Sequence, residues 1–463
     1  MTEVLEVRSP WSDEVVAKVE LADAAKAAKV VAAAGEAQRA WRKTPISERI
    51  ALVERFNDAI AADKERIARE VSLQMGKPLG QARGEVDGML ARSKHLVSIA
   101  AEALAEEKLP EKPGFVRSIV REPLGVVLNI APWNYPLLTV LNVVVPAVLS
   151  GNAVIVKHAP QTPLCGNHFA DAFAKAGAPA GLVQSLNASH ATIGELMSKP
   201  GIDHVAFTGS VRGGHQIQLA AAQRFIDVGL ELGGKDPGYV AADANFNHAV
   251  ENLIDGAFYN AGQSCCAIER IYVHRSLYDR FVDKATELVK AYVLGDPMDS
   301  KTTLGPMTLT SAPNLLQEQV NEAVKLGGKL LCGGAPTKVD GKGRFFQPTL
   351  IANAPQKSQL MQEESFGPVI GILPVADDDE ALRLMNDSRY GLTAAIWTED
   401  PERARRMARD LETGTVFMNR CDFLDPALPW VGVKDSGRGA TLAHEGFRHL
   451  TRPKSLHFRV KTS

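Results

Sequence analysis

The sequence predicts an α/β protein with two successive α/β regions behind a helical N-terminal segment. Three observations support this fold class: apolar, β-branched segments alternate with helical ones, a glycine-containing junction divides the alternation in two, and two extended segments lie outside it. Such alternation is typical of parallel sheets whose strands are connected by helices. Because these sheets place ligands at the carboxyl ends of their strands, we expect the functional site there.

The helical segment runs from residue 23 to about residue 107, where Ala, Glu, Lys and Leu recur at helical spacing. Breaks are predicted near Pro45 and Pro78. The following region has predicted strands at 125–130, 153–156, 182–186, 204–207, 225–228 and 238–241, and predicted helices at 161–175 and 213–223. These segments predict a parallel sheet covered by helices.

A second α/β region is predicted from residue 246 to about residue 414, with helices near 276–294, 312–326 and 379–386. The junction between the regions, residues 231–235 (ELGGK), has little secondary structure of its own. Segments 115–122 and 454–460 are predicted to be extended ribbons. We expect them to be edges that pair with another part of the assembly, such as another subunit.

The composition and charge of the chain disfavour some classes of binding partner. The chain has 463 residues, 45% of them hydrophobic, and a formal net charge of −2 with both signs interspersed. No continuous positive surface is predicted, which disfavours nucleic acid and anionic lipid as partners. Apolar stretches such as 136–150 are shorter than the roughly 20 residues of a membrane span, and Met1–Glu6 does not resemble a signal peptide. We therefore expect a cytoplasmic protein, without membrane contact, that acts on a small molecule.

The five cysteines lie at positions 165, 265, 266, 332 and 421. Their odd number and the absence of a CxxC pair indicate neither a disulfide framework nor a zinc site, so no metal is expected. Cys165, Cys332 and Cys421 are predicted to be small buried side chains. Cys265 follows a glycine and small polar residues that would leave its thiol accessible. It is either a nucleophile or a structural cysteine, and the adjacent Cys266 competes for the same role.

Two further side chains follow predicted strands. Glu231 ends an apolar segment before two glycines, where a carboxylate in a partly dry cleft would act as a base; the alternative is a solvated surface glutamate. Asn134 lies in the stiff sequence APWNYP, where its amide could donate to an oxyanion; the alternative is an ordinary turn asparagine.

A glycine-containing segment, residues 209–214, joins the predicted strand at 204–207 to a helix. Exposed N–H groups and the helix dipole favour a phosphate at such a turn, although it lacks the GxGxxG pattern and glycines there also serve packing. Lys157 ends another predicted strand. It either reaches a ribose or phosphate or is an ordinary solvated lysine.

Taken together, these segments resemble the aldehyde dehydrogenase superfamily, and in particular short bacterial aldehyde and semialdehyde dehydrogenases. The resemblance covers nearly the whole chain. Its most specific parts are LELGGKDP at 230–237 and GQSC at 262–265, which look like the family's glutamate and cysteine signatures in the usual order. PWNYP at 132–136, FTGS at 207–210 and EESFGPV at 363–369 support it.

The resemblance implies an aldehyde dehydrogenase-like fold with two Rossmann-like α/β domains and a small β oligomerisation ribbon. The implied cofactor-binding domain comprises residues 1–104 and 124–232, the catalytic domain residues 233–440, and the ribbon residues 105–123 and 441–463. It also implies self-association into a homodimer or homotetramer.

The resemblance further implies that Cys265 forms a thiohemiacetal and then a thioester with an aldehyde. Asn134 and the backbone N–H of Cys265 would stabilise the oxyanion, and Glu231 would activate the water that releases the carboxylic acid. A glutamate at this position favours hydrolysis over transfer to coenzyme A. There are two alternatives: a coenzyme A-acylating enzyme, and a non-catalytic structural protein of the same fold. The presence of Cys265, Glu231 and Asn134 disfavours the non-catalytic protein.

The implied cofactor is NAD or NADP. Gly209, Ser210 and Gly214 would border its pyrophosphate, Lys157 its adenosine ribose, and Glu364 and Phe366 its nicotinamide end; the full implied set is Trp133, Lys157, Gly209, Ser210, Gly214, Leu232, Glu364 and Phe366. Many NAD-preferring members carry a glutamate three residues after the lysine. Here that position is Pro160, so the element that repels a 2′-phosphate is missing.

The implied substrate pocket is lined by Tyr135, Asn142, Tyr259, Cys266, Phe423 and Trp430, together with Arg420. Aromatic walls favour a small apolar or aromatic aldehyde. Arg420 would favour the alternative, a semialdehyde such as succinate semialdehyde. A residue pair that relays protons in many members is replaced by Val143 and Thr441, so we expect the proton to leave by another route, through water.

Overall fold

The computed structural model describes residues 3–461. Its helices are α1 (Ala24–Trp41), α2 (Ile46–Ala62), α3 (Lys64–Met75), α4 (Leu79–Ala103), α5 (Leu138–Leu149), α6 (Pro163–Lys175), α7 (His190–Ser198), α8 (Val211–Ala221), α9 (Phe246–Phe258), α10 (Tyr278–Lys290), α11 (Ala312–Lys325), α12 (Gln359–Gln362), α13 (Asp378–Asn386), α14 (Pro401–Asp410) and α15 (Ala443–His449), with a 3₁₀ turn at Tyr259–Gly262.

The strands are β1 (Val4–Arg8), β2 (Val15–Glu20), β3 (Glu107–Lys108), β4 (Phe115–Pro123), β5 (Val126–Ile130), β6 (Ala153–Lys157), β7 (Val183–Ser185), β8 (His204–Thr208), β9 (Asp227–Glu231), β10 (Asp236–Val240), β11 (Ile268–His274), β12 (Lys329–Cys332), β13 (Pro336–Val339), β14 (Lys342–Phe346), β15 (Thr349–Ala352), β16 (Val369–Val375), β17 (Tyr390–Gly391), β18 (Thr393–Trp397), β19 (Thr415–Met418), β20 (Val433–Lys434), β21 (Gly437–Arg438) and β22 (Thr451–Arg459).

The first sheet has six strands in the order β21-β9-β8-β5-β6-β7. Strands β9 to β7 are parallel, and β5 and β6 are fully buried because helices cover both faces. The N-terminal helices and the predicted breaks near Pro45 and Pro78 are confirmed, since α2 and α4 begin directly after these prolines. The α/β fold class predicted from the alternating pattern is therefore correct for this half.

One strand prediction in this sheet was wrong. The strand expected at 225–228 begins at Asp227 and ends at Glu231, and Phe225 is fully exposed in the segment that leaves α8. The prediction was misled by two consecutive apolar residues, Phe225 and Ile226, which precede the strand. The correct register pairs Glu231 with Thr208, so these two side chains end adjacent strands.

The second sheet has seven strands in the order β12-β15-β16-β11-β10-β18-β19. All pairs except β12 with β15 are parallel. The predicted strand at 238–241 lies in this sheet as β10, and the helices predicted at 276–294, 312–326 and 379–386 are present as α10, α11 and α13. The junction at 232–235 therefore links the last parallel strand of one sheet to a central strand of the other.

The chain returns to the first sheet near its C-terminus, where β21 pairs with β9 in antiparallel orientation. Helix α15 then packs against α4 and α5. Residues on both sides of the predicted boundary at 440 thus contact the first sheet and its helices. The domain boundaries remain a prediction.

The two extended segments form one ribbon. β22 pairs with β4 from Thr451↔Pro123 to Arg459↔Phe115, and β3 adds a short third strand. Each segment is therefore paired within the chain, and pairing with another subunit stays a prediction. Val116 and Phe458 remain 52% and 55% exposed on this ribbon. The N-terminal hairpin of β1 and β2 was not predicted.

Among the residues that the structure describes, no helix has the length and apolar character needed to cross a membrane.

Candidate active site

A cavity of about 1650 Å³ lies where the two sheets meet. Its walls include Ile130, Lys157, Thr208 and Glu231, which end β5, β6, β8 and β9. The cavity therefore lies at the carboxyl ends of the parallel strands, where the sequence predicts the functional site. Residues after the junction, including Cys265 and Glu364, complete the wall from the side of the second sheet.

The backbone before Cys265 is held in an unusual conformation. Asn260, Ala261 and Gly262 have φ values of 53°, 56° and 67°, and left-handed residues other than glycine cost on the order of 1–3 kcal/mol each. Side-chain bonds hold the turn: Asn260 Nδ2 donates to the Gln263 carbonyl at 3.1 Å, and Gln263 Nε2 donates to the Asn260 carbonyl at 3.1 Å. This turn places Cys265 half-buried in the cavity wall.

The structure distinguishes the two adjacent thiols. Cys266 is buried, and its Sγ donates to Asp422 Oδ1 at 3.0 Å. A hydrogen bond with Cys265, burial and the Asp422 carboxylate raise the pKa of the Cys266 thiol well above its usual range. Cys266 therefore stays a neutral thiol, whereas Cys265 is the more accessible of the two. Cys165 and Cys421 are buried as predicted, and Cys332 is half-buried.

Asn134 lies in the loop after β5 and is 5% exposed. Its Nδ2 donates to the carbonyl of Gln263 at 3.1 Å, which fixes the amide beside the segment that carries Cys265. The amide carries two N–H groups and this bond uses one of them. The second N–H is the donor that the predicted oxyanion role requires.

Glu231 is held at the end of β9 by two hydroxyl groups. Thr208 Oγ1 donates to Oε2 at 2.9 Å and Thr441 Oγ1 donates to Oε1 at 2.6 Å. Burial raises the pKa of the Glu231 carboxyl, while these hydrogen bonds and the charge of Arg92 partly oppose the rise. A raised pKa suits a general base that works near neutral pH. Thr441, which replaces a proton-relay residue, therefore bonds directly to the predicted base.

The variant Thr441→Val is expected to raise the pKa of Glu231 further, because it removes a donor that favours the charged carboxylate. The ascending limb of the kcat–pH profile then moves to higher pH. Below neutrality, where less of the base is deprotonated, kcat falls roughly 2- to 10-fold, the value of one hydrogen bond. Stopped-flow or steady-state profiles check this. Thr441→Ser, which keeps the hydroxyl, is the control, and an unshifted limb in the valine variant would contradict the account.

The part of the cavity nearest α8 fits a dinucleotide. Ser210 caps α8, with its Oγ accepting from the Gly213 N–H at 3.2 Å, and both residues line the cavity. A Cβ on Gly209 would lie 2.6 Å from the Phe207 ring, so the turn needs glycine there. Lys157 is 3% exposed, and burial lowers its pKa to about 8. A helix N-terminus beside a buried cation is a suitable site for phosphate and ribose groups.

Gly214, which was predicted to border the pyrophosphate of the cofactor, is a correction. It does not line this cavity, and a Cβ there would lie 2.8 Å from the side chain of Leu232. Its role is the close packing of α8 against the junction. Leu232, in contrast, does line the cavity, as do Trp133 and Gly209.

The opposite end of the cofactor region is formed by Glu364 and Phe366. Glu364 Oε1 accepts from the Gly234 N–H at 3.0 Å, and burial together with the charge of Glu269 raises the pKa of Glu364 to about 8. The Phe366 ring contacts the edge of Trp133 with 5.5 Å between ring centroids. These contacts place a carboxyl group and an aromatic surface on the same wall.

Glu269 supports this wall through hydrogen bonds, a role that the sequence analysis did not predict. It accepts from the N–H groups of Ser365 and Phe366 at 2.8 and 3.0 Å, and pairs with Lys235 at 2.5 Å. The sequence could have indicated this role, because Glu269 lies inside the apolar strand β11. A carboxylate is almost never buried without a partner.

The other half of the cavity contains most of the predicted substrate pocket. Its lining includes Tyr135, Asn142, Tyr259, Cys266, Phe423 and Trp430. Arg420 is a correction: it is exposed, does not line the cavity, and its guanidinium lies 3.7 Å from the centre of the Phe423 ring. Stacking on that ring turns it towards solvent.

Two charged residues of this half were missed. Arg92 of α4 is 7% exposed and lines the cavity. Asp422 accepts from Cys266 and Ser264, and burial raises its pKa to about 7. Arg92 lies between Met89 and Leu96 on the buried face of α4. A cation at helical spacing among apolar residues could have indicated a buried charged residue from the sequence alone.

Within residues 3–461, no three histidine, cysteine, aspartate or glutamate side chains are grouped so that they could hold a metal ion.

Comparison with known proteins identifies the family. The model of the aldehyde dehydrogenase family matches residues 1–456. The NAD(P)+-dependent succinate semialdehyde dehydrogenase Sad of Escherichia coli is 37% identical over 434 residues, which cover 93% of this chain and 92% of the relative. The NADP+-dependent succinate-semialdehyde dehydrogenase 1 of Mycobacterium ulcerans is 34% identical, covering 90% of this chain and 91% of the relative.

A solved structure of an NAD-dependent aldehyde dehydrogenase from Sinorhizobium meliloti has a TM-score of 0.96 at 31% identity, covering 100% of this chain and 92% of that chain. The chain belongs to the aldehyde dehydrogenase family. It is an oxidoreductase that oxidises an aldehyde, and its cofactor is NAD or NADP.

Proposed function

We propose that this aldehyde dehydrogenase oxidises its substrate to a carboxylic acid through a thioester on Cys265. The observation that carries the proposal is that Cys265, Asn134 and Glu231 line one cavity, with Asn134 bonded to the segment that carries the cysteine. The Cys265 thiolate attacks the aldehyde carbon and forms an S–C bond. The free N–H of Asn134 and the backbone N–H of Cys265 stabilise the resulting oxyanion. When bound, the nicotinamide ring accepts the hydride from this carbon.

Glu231 acts in the second half-reaction. Its carboxylate removes a proton from water, the water oxygen attacks the thioester carbon, and the S–C bond breaks to release the acid and the Cys265 thiolate. Thr208 and Thr441 orient the carboxylate. A buried carboxylate with these partners favours hydrolysis over transfer to coenzyme A.

We propose that the cavity accepts NADP as well as NAD. Pro160 and the buried cation Lys157 both line the cavity, and Pro160 puts a neutral ring where many NAD-preferring members carry a glutamate. Relatives named for NADP+ and for NAD(P)+ are consistent with this proposal.

The variant Pro160→Glu is therefore expected to discriminate against NADP. A carboxylate beside the 2′-phosphate adds like-charge repulsion, so kcat/KM for NADP falls by about tenfold or more relative to NAD. The control is Pro160→Gln, because a glutamine side chain has nearly the volume of a glutamate but no charge. Equal changes for both cofactors in the glutamate variant would refute the assignment of Pro160 to the phosphate end.

The substrate is proposed to be a small aldehyde whose carbon chain is covered by Tyr135, Tyr259, Phe423 and Trp430. A semialdehyde is the second candidate, because relatives are named for succinate semialdehyde. A panel of aliphatic, aromatic and carboxylate-bearing aldehydes, each assayed with NAD and NADP, tests the proposal. Absence of cofactor reduction with every member would overturn it.

We also propose that residues 105–123 and 441–463 form an oligomerisation ribbon for a homodimer or homotetramer. The exposed apolar side chains Val116 and Phe458 and the exposed strand β22 support this. Light scattering of the purified chain tests it, and a monomeric mass at assay concentration would refute it.

A cytoplasmic location is proposed for the same protein. The five cysteines are unpaired in the structure, and catalysis by a free thiol suits a reducing compartment. Cell fractionation with an antibody against the chain tests this, and recovery in a secreted or membrane fraction would contradict it.

A further inference from the structure

Five lysine and arginine side chains are buried among residues 3–461, and a protein partner or the proposed cofactor accounts for the charge of four of them. Lys77 pairs with Glu85 at 2.5 Å, and Lys235 pairs with Glu269 at the same distance. The Arg270 guanidinium donates to the backbone carbonyls of residues 235, 384, 385 and 387. Each of these charges is thereby compensated inside the protein, as burial requires. Lys157 has no carboxylate at ion-pair distance among the described residues, and it lies in the region of the cavity proposed for the cofactor.

Arg92 is the exception. It is 7% exposed and lines the substrate half of the cavity. Its side chain makes one hydrogen bond, from Nη1 to Asn142 Oδ1 at 2.8 Å, and within residues 3–461 no carboxylate lies at ion-pair distance from it. Burial lowers the pKa of Arg92 to about 10, so it remains charged at neutral pH. A guanidinium has five N–H donors, and most of those of Arg92 have no protein partner.

Glu231 is one alternative partner, because the charge of Arg92 acts on its carboxyl group. Its two oxygens already accept from Thr208 and Thr441, and its pKa is raised despite the charge of Arg92. Arg92 therefore does not form the ion pair that would hold Glu231 as a permanent carboxylate. Asp422, the other carboxyl group of this half, accepts from Cys266 and Ser264.

We propose that Arg92, oriented by Asn142, binds a carboxylate on the aldehyde substrate. The planar fork of a guanidinium matches a carboxylate with two parallel hydrogen bonds, and a dry site strengthens them. Arg92 and Cys266, the neighbour of the proposed nucleophile, line the same half of the cavity. The substrate class is therefore an oxo carboxylate, a molecule that carries an aldehyde and a carboxylate. This inference rests on the proposed catalytic function of Cys265.

The first test uses the unmodified enzyme. Succinate semialdehyde and butanal have chains of equal length and differ in the terminal carboxylate. We expect kcat/KM for succinate semialdehyde to exceed that for butanal by about 10²-fold, the value of a charged, buried hydrogen-bonded pair. We also expect succinate to inhibit in competition with the aldehyde, more strongly than butyrate. A preference for butanal would overturn the inference while leaving the aldehyde dehydrogenase function intact, whereas only the failure of every aldehyde in the wider panel would overturn the function.

The second test is Arg92→Met, which keeps a long apolar side chain without the charge. The ratio of the two kcat/KM values is expected to fall by about 10²-fold, mainly through a higher KM for succinate semialdehyde, and Arg92→Lys is expected to restore part of it. Arg420→Met, which removes an arginine outside the cavity, is the matched control with an unchanged ratio. An equal loss for both aldehydes, with a displaced pH profile, would instead mean that Arg92 acts on Glu231 and would overturn the inference.

Discussion

The variant Cys265→Ala is expected to lose aldehyde-dependent NAD(P)H formation by at least about 10⁴-fold, because the two other thiols of the cavity wall, Cys266 and Cys421, are buried. Cys266 does not replace it. Burial and the Asp422 carboxylate, which both remain in this variant, hold the pKa of the Cys266 thiol above its usual range, and its Sγ is directed to Asp422. Steady-state absorbance of the reduced cofactor measures the loss.

The matched control is Cys266→Ala, which removes the adjacent thiol and leaves Cys265 in place. It is expected to retain activity within about tenfold, because packing and the bond to Asp422 change but the nucleophile does not. Substantial turnover in the Cys265 variant, or its loss only in the Cys266 variant, would reverse the assignment of the two cysteines.

Replacing Glu231 with Gln is expected to separate the two half-reactions. The amide oxygen still accepts from one of the two threonine hydroxyls, and the amide N–H can donate to the other. The amide cannot take a proton from water, so steady-state turnover falls by about 10²- to 10⁴-fold. Thioester formation does not need this base. A rapid burst close to one equivalent of NAD(P)H per active site should therefore precede the slow phase in a stopped-flow experiment.

The control for this variant is Glu54→Gln, which removes the same charge from an exposed position on α2. It should behave as the unmodified enzyme. A Glu231→Gln enzyme that turns over at the normal rate, or that loses the burst together with the steady state, would show that Glu231 does not act in hydrolysis.

Much of the fold was predictable because it depends on local patterns. The alternation of strands and helices gave the parallel sheets, and strand ends such as Lys157 and Glu231 placed the site. The strand error at Phe225 arose where two apolar residues occur in a connecting segment. The pairing of β4 with β22 was missed because it joins residues more than 300 positions apart, and no local pattern encodes such a pair.

Side-chain directions explain the remaining differences. Arg420 directly follows Asn419 in a segment that reaches the cavity, yet stacking on Phe423 turns it outward. Arg92 comes from a helix far away in sequence and points inward, because α4 packs its apolar face against α5. The contact of Thr441 with Glu231 likewise depends on the return of the chain to the first sheet. These arrangements are set by tertiary packing.

The thioester on Cys265 is tested most directly by peptide mapping. The Glu231→Gln enzyme is mixed with aldehyde and cofactor, quenched in acid after the burst, digested and analysed by tandem mass spectrometry. The account predicts one acyl group per chain, on Cys265, and the same adduct when Cys266 is also replaced by Ala. An acyl group on Cys266, or a completed burst that leaves every cysteine unmodified, would contradict it.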